Sequence, residues 1–204
     1  MEKYVVTIAR QFGSLGRPIA KRLSEILGIE YYDRAIVDAA VKKTGLGIET
    51  VSNFEESAKQ PWFHMKFPLG NFTTETQDQI FMVQEQMISN LAEKENCIVV
   101  GRCADYILRN HPNCINIYIC ASYEQRMINC VESLFMEPQA AKKMIYEVDK
   151  ARDAYHFRYA HYLPQDHKDI IINSGFLGVD GTAEVLACIV KKKLQEMCKK
   201  DLAK

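Results

Sequence analysis

The chain has 204 residues, 48% of them hydrophobic, the scale of one domain with a sizeable core and room for an insert. Lysine plus arginine equals aspartate plus glutamate, 26 each, which disfavours a general nucleic-acid binder with its net basic surface. No apolar run reaches membrane-spanning length, Arg10 interrupts the short apolar start, and the seven cysteines make no C-x-x-C pair, so the expectation is a cytoplasmic, non-membrane protein with reduced thiols.

The first element is YVVTIA (4–9), a β-branched run that predicts a buried strand. IAKRLSEIL follows at helical spacing and stops at Gly28, a C-cap glycine. IEYY (29–32) reads as a short second strand, and DRAIVDAAVKK as a helix opened by Asp33 and ended near Gly45. Residues 58–73, with two prolines and several aromatics, read as a loop or mobile flap. A long helix is predicted from Thr74 to about Lys94, with TETQ as a capping box. CIVVG (97–101) and CINIYIC (114–120) are further strands, SYEQ (122–125) caps another helix, DIIINS (169–174) is the last strand, and 181–199 is an amphipathic helix. Strands alternating with helices predict an α/β fold: a parallel sheet covered by helices on both faces. Ligands in such sheets bind at the carboxyl ends of the strands.

The residues that follow the strands carry the chemistry. After the first strand comes Arg10-Gln11-Phe12-Gly13-Ser14-Leu15-Gly16-Arg17, then a helix. Gly13 and Gly16 let backbone N–H groups turn inward, and the helix N-terminus adds partial positive charge. Arg17 stands where a phosphate loop carries its lysine, and its fork can grip phosphate oxygens. By spacing alone, an ordinary capped strand-to-helix turn fits equally well. Against G-x-x-x-x-G-K-[ST], Gln11 replaces the first glycine and Pro18 the Ser/Thr, removing one N–H and a hydroxyl for Mg²⁺; Ile19 offers none either. The dinucleotide pattern G-x-G-x-x-G is absent, as are G-x-S-x-G and any H-E-x-x-H among the five histidines.

YYDR ends the second strand, and Asp33 serves as a helix cap, a ligand contact or both. VVGRCAD ends the third, with Arg102 after the Gly101 turn and Asp105 three residues on. Arg102 reads as an anion contact or a solvated arginine. DKARDAYHFRYAHY (149–162) holds Lys150, Arg152 and Arg158; Arg152, His156 and Tyr159 share a helix face. This cluster reads as a basic lid over transferring phosphates or as a charged solvent face.

TIARQFGSLGR, YYDR, VVGRCADYIL, DKARDAYHFRY and DIIINSGFLGVD, in this order, resemble the cytidylate kinase-like proteins, a branch of the P-loop nucleoside monophosphate kinases. The resemblance runs over nearly the whole chain and is loose at 45–95. It implies a three-layer α/β/α P-loop fold in one domain over 1–204, with an acceptor-binding insert at about 34–95 and a lid at about 137–166. It implies transfer of the ATP γ-phosphoryl group, with Mg²⁺, to CMP, dCMP or a related monophosphate, so the partners are small nucleotides. Arg10, Gly13, Ser14, Gly16 and Arg17 then hold the donor phosphates. Asp33, Arg34, Arg102 and Asp105 lie on the acceptor side. Lys150, Arg152 and Arg158 form the lid, and Arg17, Arg152 and Arg158 are the catalytic cations. No Mg²⁺ ligand is identifiable. The loop departures keep two alternatives open: a nucleotide binder with weak or no kinase activity, and a kinase for another small phosphate acceptor.

Overall fold

The structure, a computed structural model, describes residues 3–33 and 74–202. Arg34, the flap expected at 58–73 and the helix expected after Asp33 lie outside the described residues. The elements are β1 (Val5–Arg10), α1 (Gly16–Leu27), β2 (Glu30–Tyr32), α2 (Thr74–Lys94), β3 (Cys97–Val100), α3 (Ala104–Ile107), β4 (Cys114–Cys120), α4 (Tyr123–Ile128), α5 (Pro138–Ala160), β5 (Ile170–Asn173) and α6 (Ser174–Leu202). A π-turn, Asn129–Ser133, extends α4. Helix α6 is interrupted at Gly178, whose φ is +66°.

The five strands form one parallel sheet in the order β2-β3-β1-β4-β5. The most apolar runs take its centre. Val5 and Val6 of β1, Val99 and Val100 of β3, and Ile117 and Ile119 of β4 are all buried. The two-residue period of a strand divides these side chains between the faces. Val6, Ile8, Ile98, Ile117 and Ile119 pack on Ile19 and Leu23 of α1 and Leu186 and Val190 of α6. Val5, Cys97 and Val99 pack on Phe81 and Ile88 of α2 and Ile107 of α3, with Tyr155 and Tyr159 of α5 against the same cluster. The result is the three-layer α/β/α arrangement.

Register places the functional edge. Val5 lies opposite both Cys97 and Cys114, so β1, β3 and β4 run level. The Gly101 amide donates to the Ile8 carbonyl at 3.0 Å, and the Gln11 amide to the Ile119 carbonyl at 3.0 Å. The loops that leave these three strands therefore emerge side by side. Local signals hold where the sequence set them. Gly28 ends α1 at φ +64°, and Ser122 caps α4 by accepting from the Gln125 amide at 3.2 Å. The stretch expected as a lid holds the whole of α5, which buries Met144, Ile145, Val148 and His156.

Candidate functional site

The loop after β1 is held by its carbonyls. The Gln11 carbonyl accepts from Ser14 Oγ at 2.9 Å, the Gly13 carbonyl from Asn129 Nδ2 at 2.8 Å, and the Ser14 carbonyl from Ser174 Oγ at 2.7 Å. The Gln11 side chain accepts from the Ala121 amide at 3.1 Å, tying the loop to the end of β4. Phe12 is anchored through its amide, which donates to Asp149 Oδ1 at 2.7 Å, while its ring sits in a cluster with Cys130, Met144 and Val148. Gly13 has φ +78°, and a Cβ there would stand 2.9 Å from the Arg126 carbonyl, so only glycine fits. Leu15, the N-cap of α1, also sits in the left-handed region at φ +55°. Among the described residues the amides of Gly13 to Arg17 have no acceptor in the protein. A turn whose carbonyls are tied down and whose N–H groups lead into a helix is a concavity suited to an anion.

Around it stand four arginines. Arg10 leaves the end of β1 and lays its stem across Gly16, where a Cβ would lie 2.8 Å from Arg10 Cβ and Cγ. Its guanidinium rests on Gly101, and a Cβ there would collide with Nη1. Arg152 of α5 donates from Nη1 to the Arg10 carbonyl at 2.9 Å and stands 3.7 Å from Asp149. Asp149 is shared, since it also pairs with Arg126 at 2.5 Å. Arg17 is ion-paired with Asp33, whose carboxylate also accepts from Tyr31 Oη at 3.3 Å. Arg102 is buried beside them, near enough for its charge to act on Arg10.

Burial pulls the Arg10 guanidinium well below its ordinary range, and the charges of Arg152, Arg17 and Arg102 pull it further. Burial lowers Arg152 too, with Asp149 opposing. Burial, then the Asp33 charge, pushes the Tyr31 hydroxyl up to about 12, so the tyrosine stays neutral beside the pair. Like charges gathered out of water are costly unless an anion joins them. Arg10 and Arg152 line a cavity of about 290 Å³ with Gln11, Tyr118, Asp149, Asp153, Pro164 and Gln165. Burial and the Asp149 charge raise the Asp153 carboxyl.

Gly101, Arg102 and Cys103 have φ of +78°, +61° and +53°, one left-handed turn between β3 and α3. Two of the three carry a Cβ, so the turn costs roughly 1–2 kcal/mol for each of them. Asp105, expected on the acceptor side, lies just beyond the turn. It is buried and accepts from His156 Nε2 at 3.0 Å, Lys168 Nζ at 2.7 Å and Tyr162 Oη at 3.3 Å. Burial pushes its carboxyl up, but the bonds and charges of His156 and Lys168 outweigh this and hold it at about 2. Its contacts tie α3 to α5 and to the segment before β5.

Among the expected residues, the structure brings together Arg10, Gly13, Ser14, Gly16, Arg17, Asp33, Arg102 and Arg152. Arg158 instead turns to α2, where Nη2 meets Asp78 at 2.8 Å and the Thr74 carbonyl at 3.5 Å. Lys150 is exposed, with Nζ 5.9 Å from the Tyr146 ring centre. Sequence reasoning missed the parts that Asp149, Arg126, Asn129 and Ser174 play in holding the loop. Each stands over a hundred residues away from it or bonds a residue that does.

The amides of 13–17 with Arg10 and Arg152 fit a phosphate chain. The first turn of α1 does not fit the metal that usually accompanies it. Pro18 and Ile19 bring no hydroxyl, and among the described residues no three His, Cys, Asp or Glu side chains group to hold a metal ion.

A family model described as the cytidylate kinase-like family matches residues 5–175. No curated protein matches. A crystal structure of an uncharacterized protein from Eubacterium ventriosum is 24% identical, covering 93% of this chain and 99% of that one, at TM-score 0.71. A gluconokinase from Sinorhizobium meliloti is 9% identical, covering 95% and 97%, at TM-score 0.55. A shikimate kinase from Bacteroides thetaiotaomicron is 12% identical, covering 96% and 98%, at TM-score 0.51. At these identities the likeness is one of fold, the P-loop kinase fold. No helix among the described residues is long and apolar enough to cross a membrane.

Proposed function

The chain belongs to the cytidylate kinase-like family, and from that premise we propose that it is an ATP-dependent kinase that phosphorylates CMP, dCMP or a related monophosphate. The observation that supports this reading is the meeting of Arg10, Arg17, Arg102 and Arg152 over an amide-lined loop at the carboxyl edge of the sheet. Phosphoryl transfer asks little covalent work of a protein; positioning and charge stabilisation do most of it.

In this reading the amides of Gly13, Ser14 and Gly16 hold the donor phosphates, and Arg10 and Arg152 neutralise charge as the phosphoryl group moves. Arg102, with the Arg17–Asp33 pair, faces the acceptor. The segment 34–95 is the acceptor-binding insert and 137–166 the lid of a single domain. Asp105 is a positioning residue for the Arg102 turn. No step is assigned to Mg²⁺, because the loop lacks the hydroxyl that would hold it.

A second reading, nucleotide binding without efficient transfer, is favoured by Pro18 and by the Phe12 amide, which is already spent on Asp149. The test is ADP release with ATP and Mg²⁺ on a panel of CMP, dCMP, UMP, AMP, gluconate and shikimate. Turnover fastest on a cytidine monophosphate is the expected result. Turnover only on gluconate or shikimate moves the acceptor class. Folded protein that binds ATP and turns over none of them replaces the first reading with the second.

A further inference from the structure

We infer that the cation which meets the phosphate chain in this loop is Arg10, from the end of β1, and that Arg17, at the usual lysine position, is held in reserve by Asp33. This deepens the phosphate-loop reading above and rests on it.

Three observations carry the assignment. The first is pairing. Arg17 Nη2 is ion-paired with Asp33 Oδ2, a carboxylate steadied by the Tyr31 hydroxyl at 3.3 Å, while the Arg17 side chain is 42% exposed. A cation already neutralised and in contact with water adds little to a phosphate. Among the described residues no carboxylate pairs with Arg10.

The second is shape. Two glycines, one at the start of α1 and one in the turn after β3, accommodate this one side chain. Gly16 makes room for its Cβ and Cγ, and Gly101 for Nη1. A long flexible side chain is thereby fixed over the loop before any ligand arrives, and less entropy is lost on binding. The third is surroundings. Arg10 and Arg152 line the same cavity, and Arg152 donates to the Arg10 carbonyl at 2.9 Å, so two forks converge from β1 and α5. Guanidinium groups partly withdrawn from water and close to other cations are relieved by an anion.

Arg10 therefore trades apo stability for binding. Replacing it with methionine keeps much of the stem volume and removes a desolvated charge from a repelling group. The experiment is calorimetry of inorganic tripolyphosphate binding with excess chelator, on the wild-type chain, R10M, R17M and D33N, beside thermal unfolding of each without ligand. Loss of one charged hydrogen-bonding group corresponds to about a 10- to 100-fold change in affinity, and that loss is expected for R10M. R17M is expected to stay within about threefold, in line with an exposed, already paired charge. D33N, which releases Arg17, is expected to bind tripolyphosphate more tightly than wild type, and R10M without ligand to melt no lower than wild type.

The inference is overturned if R17M loses as much as R10M or more. It is equally overturned if D33N binds no better than wild type, a result that stands even if R10M fails to fold. Wild-type protein that does not bind tripolyphosphate overturns the phosphate-loop reading as well. Wild-type binding with the loss confined to R17M overturns the Arg10 assignment alone.

Discussion

Asp105→Asn is the substitution whose cost can be worked most directly. The Asp105 side chain is 6% exposed, and the Lys168 side chain that meets it is fully buried. His156 is fixed between two acceptors, Nε2 on Asp105 and Nδ1 on the Tyr162 carbonyl at 2.9 Å. Removing the carboxylate charge leaves Lys168 and the His156 ring without their anion. Breaking a buried pair from one side costs about 3–5 kcal/mol.

The pH dependence gives a second number. The carboxyl falls from its ordinary 3.8 to about 2 on folding. At about 1.36 kcal/mol for each factor of ten in proton affinity, this is worth roughly 2.5 kcal/mol. Because the folded value is the lower one, that stability is present above about pH 4 and is lost as pH falls toward 2. Denaturant unfolding of wild type and D105N across pH 2–7 is the assay. D105N should be destabilised by about 3–5 kcal/mol near neutrality. The gap between the two proteins should narrow by about 2 kcal/mol by pH 2. A D105N protein within about 1 kcal/mol of wild type at pH 7, or a gap that does not narrow, refutes the buried-anion account.

Gly16→Ala puts a methyl 2.8 Å from Arg10 Cβ and Cγ, so Arg10 must shift; phosphate affinity should fall while overpacking costs about 1–3 kcal/mol, read by calorimetry and unfolding. Ser174→Ala removes the hydroxyl that bonds the Ser14 carbonyl at 2.7 Å and the Cys120 carbonyl at 3.1 Å. It should cost about 1–3 kcal/mol and raise amide exchange in the 11–16 loop, measured by hydrogen exchange. Arg102→Ala should raise the acceptor KM by tenfold or more, the order expected for a charged contact, with donor KM changed far less. An unchanged acceptor KM removes Arg102 from the acceptor side.

Strands and their order of alternation were legible because β-branched runs such as VVTI and INIYI have nowhere to go but a buried sheet, and glycines punctuate them. The glycine turn after β1 was legible from Gly13 and Gly16, and the arginines from their places at strand ends. What those arginines touch was not. Arg17 meets Asp33 across 16 residues and Asp105 meets Lys168 across 63, and no linear pattern marks either pairing. Arg10 takes its place over the loop from Gly101, in the turn after β3, brought beside it only by the level register of β1 and β3. The left-handed turn at 101–103 shows one glycine, while Arg102 and Cys103 bear no sign of it. Arg158 carried a plausible charge in a plausible motif, yet its helix position aims it at Asp78.

In the proposed reading a phosphate chain is held by the 13–17 amides with Arg10 and Arg152. A crystal structure with bound ATP tests it most directly. The account predicts phosphate oxygens within hydrogen-bond reach of those amides and of both guanidinium groups. Phosphates bound elsewhere, or in the loop with Arg10 turned away, would contradict it.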